Sequence, residues 1–176
     1  MASPDRVSQQ GHVRVRVSLD GTGESNVGTG IPVLDHLLGL MARYGSVDLD
    51  LQLPPEGVDA EVAAAGKSLG KTLREPLASA DVLGHGSAVA AADEALAHVV
   101  LEASGRPLLV SNVDLSETRV AGLGTDLVTT FLRELAEGGG LTMHVRLIGG
   151  DDPQHVLEAI FKALGAALAQ AGRARA

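Results

Sequence analysis

The 176-residue sequence contains no cysteine and no tryptophan, and its aromatic content is only 2%. Without cysteine there are no disulfides, no thiolate metal ligands and no thiol nucleophile. With large aromatic anchors this scarce, the core has to be built from Leu, Val, Ile and Ala. Packing among small side chains readily continues across subunits, which points to a homo-oligomer. No uninterrupted apolar run approaches the roughly 18 residues that read as a membrane span, and the opening MASPDRVSQQ lacks the apolar segment of a secretory signal. Concentrated positive charge is missing as well. Fourteen Lys and Arg stand against 22 Asp and Glu, a formal net charge of −8, and no basic patch interleaves with aromatics. Nucleic acid and membrane are therefore not expected as partners. What is present, 45% apolar residues, suffices to bury a core, and the expectation is a folded cytoplasmic protein.

Hydrophobic periodicity divides the chain into alternating elements. Residues 12–19 alternate strictly, with Val13, Val15, Val17 and Leu19 on one side and Arg14 and Arg16 on the other, the pattern of a half-buried strand. Residues 31–44 place Leu34, Leu37, Leu38 and Met41 at helical spacing, with Pro32 suited to the first turn and Gly45 to the stop. Residues 47–53 alternate again. Residues 61–77 read as a helix through Leu69, Leu73 and Leu77, despite Gly66 and Gly70. Strand-like runs follow at 97–103 and 108–113, a helix at 126–137, a strand at 141–148 and a last helix at 153–171. Asp152 is the candidate N-cap of that helix, and Arg173 and Arg175 lie near its negative end.

The plan repeats within the chain. LGKTL at 69–73 precedes LGAAL at 164–168 by 95 positions, and Lys67 precedes Lys162 by the same offset. Two halves, 1–92 and 93–176, follow from it. The richest chemistry lies at 149–165, GGDDPQHVLEAIFKALG. His155 and Glu158 are three positions apart on one helical face, a spacing that lets two ligands meet one cation. The offset pairs Gln154, His155 and Glu158 with Asp59, Ala60 and Ala63, so the first copy carries no ligand-type residue beyond Asp59.

LDGTG at 19–23, GIPVLDHLLGLMARYG at 30–45, DEAL at 93–96, SGRP at 104–107, LTMHVRL at 141–147 and the 149–165 segment occur together and in order. With them the chain resembles the imidazoleglycerol-phosphate dehydratase family of histidine biosynthesis over nearly its whole length. The resemblance implies an α+β fold of the ribosomal protein S5 domain 2-like kind, a tandem duplication in which each half packs helices on a four-stranded sheet. It also implies trimer-based assembly into a shell of up to 24 copies. The family's hydro-lyase chemistry uses two manganese ions, held mostly by two His-His-x-x-Glu clusters and partly by neighbouring subunits. The cations stabilise a deprotonated imidazole ring, which is a poor electron sink alone, while arginines hold the substrate phosphate.

Carried over position by position, the resemblance makes His36, His144, His155 and Glu158 metal-ligand candidates and Arg106 the phosphate candidate. Other positions depart from the family. Gln154 stands where the second cluster's first histidine belongs, and an amide is a poor metal ligand. Asp152 replaces an asparagine. The first cluster is reduced to VDAEVAAAGKSLG, where Glu61 is out of register. Gln10 replaces a glutamate, Tyr44 a histidine and Gly84 an arginine. The Ser- and Lys-bearing phosphate segment is not found before the ending GRARA, where Arg173 or Arg175 are candidate substitutes. Each candidate also has a structural reading: His36 a helix histidine on a carbonyl, His144 a satisfied sheet residue, His155 a capping residue, Glu158 a solvated carboxylate, Arg106 a turn residue. His85 and His98 match no ligand position and are assigned to surface or packing. Two functions follow. One is a degenerate homologue with none or at most one metal per chain, serving as scaffold, regulator or binder of a small phosphorylated or imidazole ligand. The other is an active divergent dehydratase, converting imidazole glycerol phosphate to imidazole acetol phosphate with a reduced metal site.

Overall fold

A computed structural model describes residues 12–114, 119–120 and 123–176. The first sheet is formed by β1 (Arg14–Ser18), β2 (Ser25–Gly28) and β3 (Asp48–Gln52) in the order β1-β3-β2. Helix α1 (Pro32–Gly45) connects the parallel pair β2 and β3, β1 runs antiparallel on the other side of β3, and α2 (Val58–Ala78) follows. The second sheet has the order β4-β5-β9-β6, from β4 (His85–Ala92), β5 (Ala95–Glu102), β6 (Leu108–Ser111) and β9 (Thr142–Gly149). A short ladder, β7 (Arg119–Val120) with β8 (Leu123–Gly124), precedes α3 (Thr125–Gly139), and α4 (Pro153–Ala171) ends the order. Again a helix, α3, connects a parallel pair, β6 and β9, with β5 antiparallel on the far side of β9. The α2 and α4 starts, Val58 and Pro153, are 95 positions apart.

The helices fill the space between the sheets. α1 and α2 lie on the first sheet, α3 and α4 on the second, and α1 crosses α4 while α2 crosses α3. The alternation that marked the strands has its cause here: Leu49 and Leu51 of β3, and Met143 and Val145 of β9, point into the helical layer and are buried. The expected stripe of α4 (Val156, Leu157, Ile160, Phe161 and Leu164) is buried as well. Phe131 and Phe161, the chain's two phenylalanines, meet in the core with ring centroids 5.5 Å apart. Among the described residues no helix is long and apolar enough to cross a membrane.

The repeated glycine in LGKTL and LGAAL has a shared purpose. A Cβ on Gly70 would stand 2.5 Å from the carbonyl oxygen of Leu135 in α3, and one on Gly165 would overlap that of Met41 in α1. These glycines are the points where each half's second helix touches the backbone of the other half, so they are required by packing and not merely tolerated in a helix.

The sequence left the short β7–β8 ladder unread, and with it two strands of the main sheets. SNVG of β2 is too short and polar to show alternation, and HGSAVAAA of β4 carries mainly small side chains. β4 pairs along its whole length with β5, so the seam expected between 92 and 93 falls on the turn of one hairpin. The second helix also begins earlier than expected, at Val58, because Glu61 secures its start from within the first turn.

Candidate functional site

The first turn of α4 organises the chemistry-bearing residues. Asp152 caps it as expected, its Oδ1 accepting from the backbone N–H of Gln154 (2.9 Å) and His155 (3.1 Å). Beneath this turn lies the β4–β5 hairpin, bent through Asp93 at φ 49°, a left-handed conformation that Asp adopts more readily than most side chains. Glu94 Oε1 accepts from the backbone N–H of Asp152 (2.8 Å) and Asp151 (3.3 Å), and its Oε2 meets His155 Nδ1 at 2.7 Å. Asp93 Oδ2 lies 3.3 Å from His155 Nε2. These contacts hold the Glu94 carboxyl down at about 2, the Asp152 N–H contributing most and His155 next. The same pair raises the His155 imidazole, chiefly through its bond to Glu94. DEAL, read as a family marker, is therefore the anchor of α4's N-terminus.

One turn further, Glu158 faces α1. Its Oε1 lies 3.2 Å from His36 Nε2 and accepts from Gln154 Nε2 at 3.2 Å. His36 is thus a half-exposed residue on a carboxylate, not a buried histidine on a carbonyl, and Glu158, its side chain 17% exposed, is not simply solvated. Sequence reading paired His155 with Glu158; the fold separates them, since His155 turns to the hairpin and Glu158 to α1. His144 lies elsewhere, on the outer face of β9 between Val100 of β5 and Val110 of β6. No hydrogen bond or ion pair among the described residues joins it to His36 or Glu158. Among the described residues no three His, Asp or Glu side chains converge as a metal cage.

Glu61 is buried and committed: its Oε1 accepts from the backbone N–H of Glu56 (3.0 Å) and Gly57 (3.2 Å), which closes the start of α2. Tyr44 stacks under Lys162, whose Nζ is 5.0 Å from the ring centroid and also donates to the Ala91 carbonyl. Gln10 lies outside the described residues.

Arg106 sits in an exposed turn built by Ser104 and Thr142. Ser104 Oγ accepts from the Arg106 N–H (3.0 Å), and Thr142 Oγ1 donates to its carbonyl (3.0 Å). Its guanidinium has no hydrogen bond or ion pair among the described residues. Gly84 adjoins this turn, its carbonyl accepting from Ala103 N–H at 2.7 Å. Arg175 is not available beside it, because its guanidinium donates to the Val82 and Leu83 carbonyls and pins the C-terminal residues to that loop. Arg173 instead lines a cavity of about 430 Å³ with Leu19, Asp20 and Tyr44. His98, assigned to surface or packing, pairs with the Ser87 hydroxyl at 2.6 Å on the outer face of the second sheet. The LDGTG loop is held by Asp48, a residue the sequence did not single out, which accepts from the backbone N–H groups of Thr22, Gly23 and Glu24. Those bonds, that of Glu24 foremost, lower its carboxyl.

The fold and the order of segments agree with comparisons to known proteins. The sequence profile described as imidazoleglycerol-phosphate dehydratase matches residues 29–168. The chain is 41% identical over 174 residues to the imidazoleglycerol-phosphate dehydratase of Moorella thermoacetica, covering 95% of this chain and 87% of that protein. It is 36% identical over 176 residues to that of Pelobacter propionicus, covering 98% and 90%. Among solved structures, the Staphylococcus aureus imidazoleglycerol-phosphate dehydratase superposes with a TM-score of 0.86 at 32% identity, over 95% of this chain and 96% of that one. A profile match over most of the chain, together with identity above 30% across nearly its full length, leaves one assignment: the chain belongs to the imidazoleglycerol-phosphate dehydratase family.

Proposed function

We propose that this member of the family keeps the fold without carrying out the dehydration, acting as a scaffold, regulator or binder of a small phosphorylated or imidazole ligand. What carries this reading is the donor count at the two equivalent helix starts. The first two turns of α4 offer Gln154, His155 and Glu158, while the equivalent positions of α2 offer Asp59, Ala60 and Ala63. The residues present do not fit a pair of manganese ions, because both imidazoles and the carboxylate of one cluster, and one imidazole of the other, are replaced. The nearest spare carboxylate, Glu61, is spent on the α2 N-terminus. A single change around a bound metal commonly costs about 10–100-fold in affinity or activity. With four ligand-type groups missing, the expected occupancy is none or at most one metal per chain.

Arg106 is the group we assign to an anionic ligand, since among the described residues its guanidinium makes no hydrogen bond or ion pair in an otherwise well-tied turn. Self-association is supported by the contrast between the outer sheet faces. Val89, Val100, Leu108 and Ile148 are exposed in the second sheet, whereas Arg14, Arg16 and Asp50 cover the first. We propose a trimer-based homo-oligomer of up to 24 copies, and a solution mass of a monomer or dimer by light scattering overturns it.

The identity of 36–41% to proteins named as dehydratases favours a second reading, an active divergent enzyme with a reduced metal site. The deciding assay is turnover of imidazole glycerol phosphate by the purified chain with excess manganese. No turnover above background is expected, and a rate near that of a complete family member refutes the proposal.

A further inference from the structure

Resting on that reading, we infer that the His36–Glu158–Gln154 cluster is a cation-independent joint between α1 and α4, in which the chain's own donors satisfy Glu158. Glu158 is the carboxylate that the crossing of these helices half-buries, so it needs partners wherever it stands. It has two on one oxygen, Gln154 Nε2 and His36 Nε2, each at 3.2 Å. Both contacts reach the same oxygen from the chain itself, so the carboxylate has its partners without a cation, and the neighbouring position offers an amide, a poor metal ligand, in place of an imidazole. Gln154, an amide beside the acceptor, supplies the second N–H one helical turn away.

Two other carboxylate or imidazole groups near these helix starts are committed. His155 is fixed by Glu94 and Asp93 on the hairpin side of α4, and Glu61 closes α2. A second contact across the same seam is also metal-free. Lys162, one turn beyond Glu158, carries positive charge over the Tyr44 ring of α1. Past it, Gly45 and Gly165 bring the two backbones together. α1 belongs to the first sheet and α4 to the second, so the joint couples the two halves of the chain.

The test uses the full-length protein, dialysed against chelator and titrated with Mn²⁺ under electron paramagnetic resonance, with thermal midpoints measured in EDTA and in manganese. The six-line signal of aqueous Mn²⁺ is expected to stay undiminished, and the wild-type midpoint to be the same in both buffers. Gln154→Leu removes the donor without lowering helix propensity; it should reduce the midpoint by about 2–4 °C in both buffers, the scale of one lost hydrogen bond in a chain of this size. Saturable loss of the Mn²⁺ signal that disappears in His36→Ala or Glu158→Ala overturns the inference. So does an unchanged midpoint in Gln154→Leu. Turnover measured on the same samples reports separately on the proposed function: an inactive protein that binds Mn²⁺ at His36 defeats the joint alone, and an active one that leaves the signal intact defeats only the functional reading.

Discussion

Replacing Gly165 by alanine tests whether the two halves are held together by backbone contact. A methyl group there overlaps the carbonyl oxygen of Met41, with the Met41 carbonyl carbon and Cα at 2.9 and 3.0 Å. All three atoms belong to the α1 backbone, so nothing can rotate aside and the helices have to separate. Overpacking of this kind costs about 1–3 kcal/mol, against a gain of about 1 kcal/mol because alanine is the better helix former. With rigid neighbours the upper part of the range applies, leaving a net loss of about 1–2 kcal/mol. For a chain of this size that lowers the thermal midpoint by about 2–8 °C. Gly39→Ala, in α1, is the control, since its Cβ meets only the Ser25 hydroxyl at an ordinary 3.5 Å. It should raise the midpoint by about 2–4 °C through helix propensity alone. Calorimetry of both variants checks the reasoning. If Gly165→Ala matches the wild type or gains like Gly39→Ala, the close-approach account of the repeated glycine is wrong.

The hairpin anchor should make stability depend on pH. The depressed Glu94 contributes stability that is present above its ordinary 4.5 and lost as pH falls toward about 2, while the raised His155 contributes stability that is full below 6.5 and lost as pH rises through its folded-state value, so the pair acts most strongly between about 4.5 and 6.5. Thermal midpoints measured across pH should show that maximum in the wild type, and Glu94→Gln should flatten it; an unaltered profile rules the anchor out. Asp152→Ala removes a side-chain cap and should cost about 1 kcal/mol in denaturant unfolding, with no change in slope. Asp48→Asn should speed amide exchange at Thr22, Gly23 and Glu24 selectively, because these N–H groups lose a charged acceptor.

Periodicity revealed the elements whose buried side chains recur at a fixed spacing, such as α1, α4, β3 and β9. It failed where side chains are too small or too few to leave a pattern, as in β2 and β4. The 95-residue offset was readable because the same glycine recurs where each half's second helix meets the other half. What was not readable was direction. His155 and Glu158 share a spacing that suits one cation, yet the hairpin carboxylates draw the first away, and only the fold brings DEAL under the α4 N-terminus. Conversely His36 and Glu158, 122 positions apart, could not be paired by any local pattern. Glu61 was set aside as out of register, and its capping role could not be read because it depends on the backbone path of Glu56 and Gly57.

The two equivalent helix starts place polar side chains where a helix end has to be closed. Every helix N-terminus presents N–H groups without intrahelical partners. α4 satisfies its own with Asp152 and with Glu94 from the hairpin, and Glu94 in turn holds His155. α2 has no side-chain N-cap and relies on the buried carboxylate of Glu61, reaching back to Gly57 and Glu56. Asp152, Glu94 and His155 at one start and Glu61 at the other are thus accounted for by the requirement to close a helix. That requirement persists whether or not a cation is bound, whereas positions 60 and 63 of α2, which neither cap nor pair, are occupied by alanine. His155 at the head of α4 is therefore accounted for by the hairpin it fastens, and its presence alone argues neither for nor against a catalytic role.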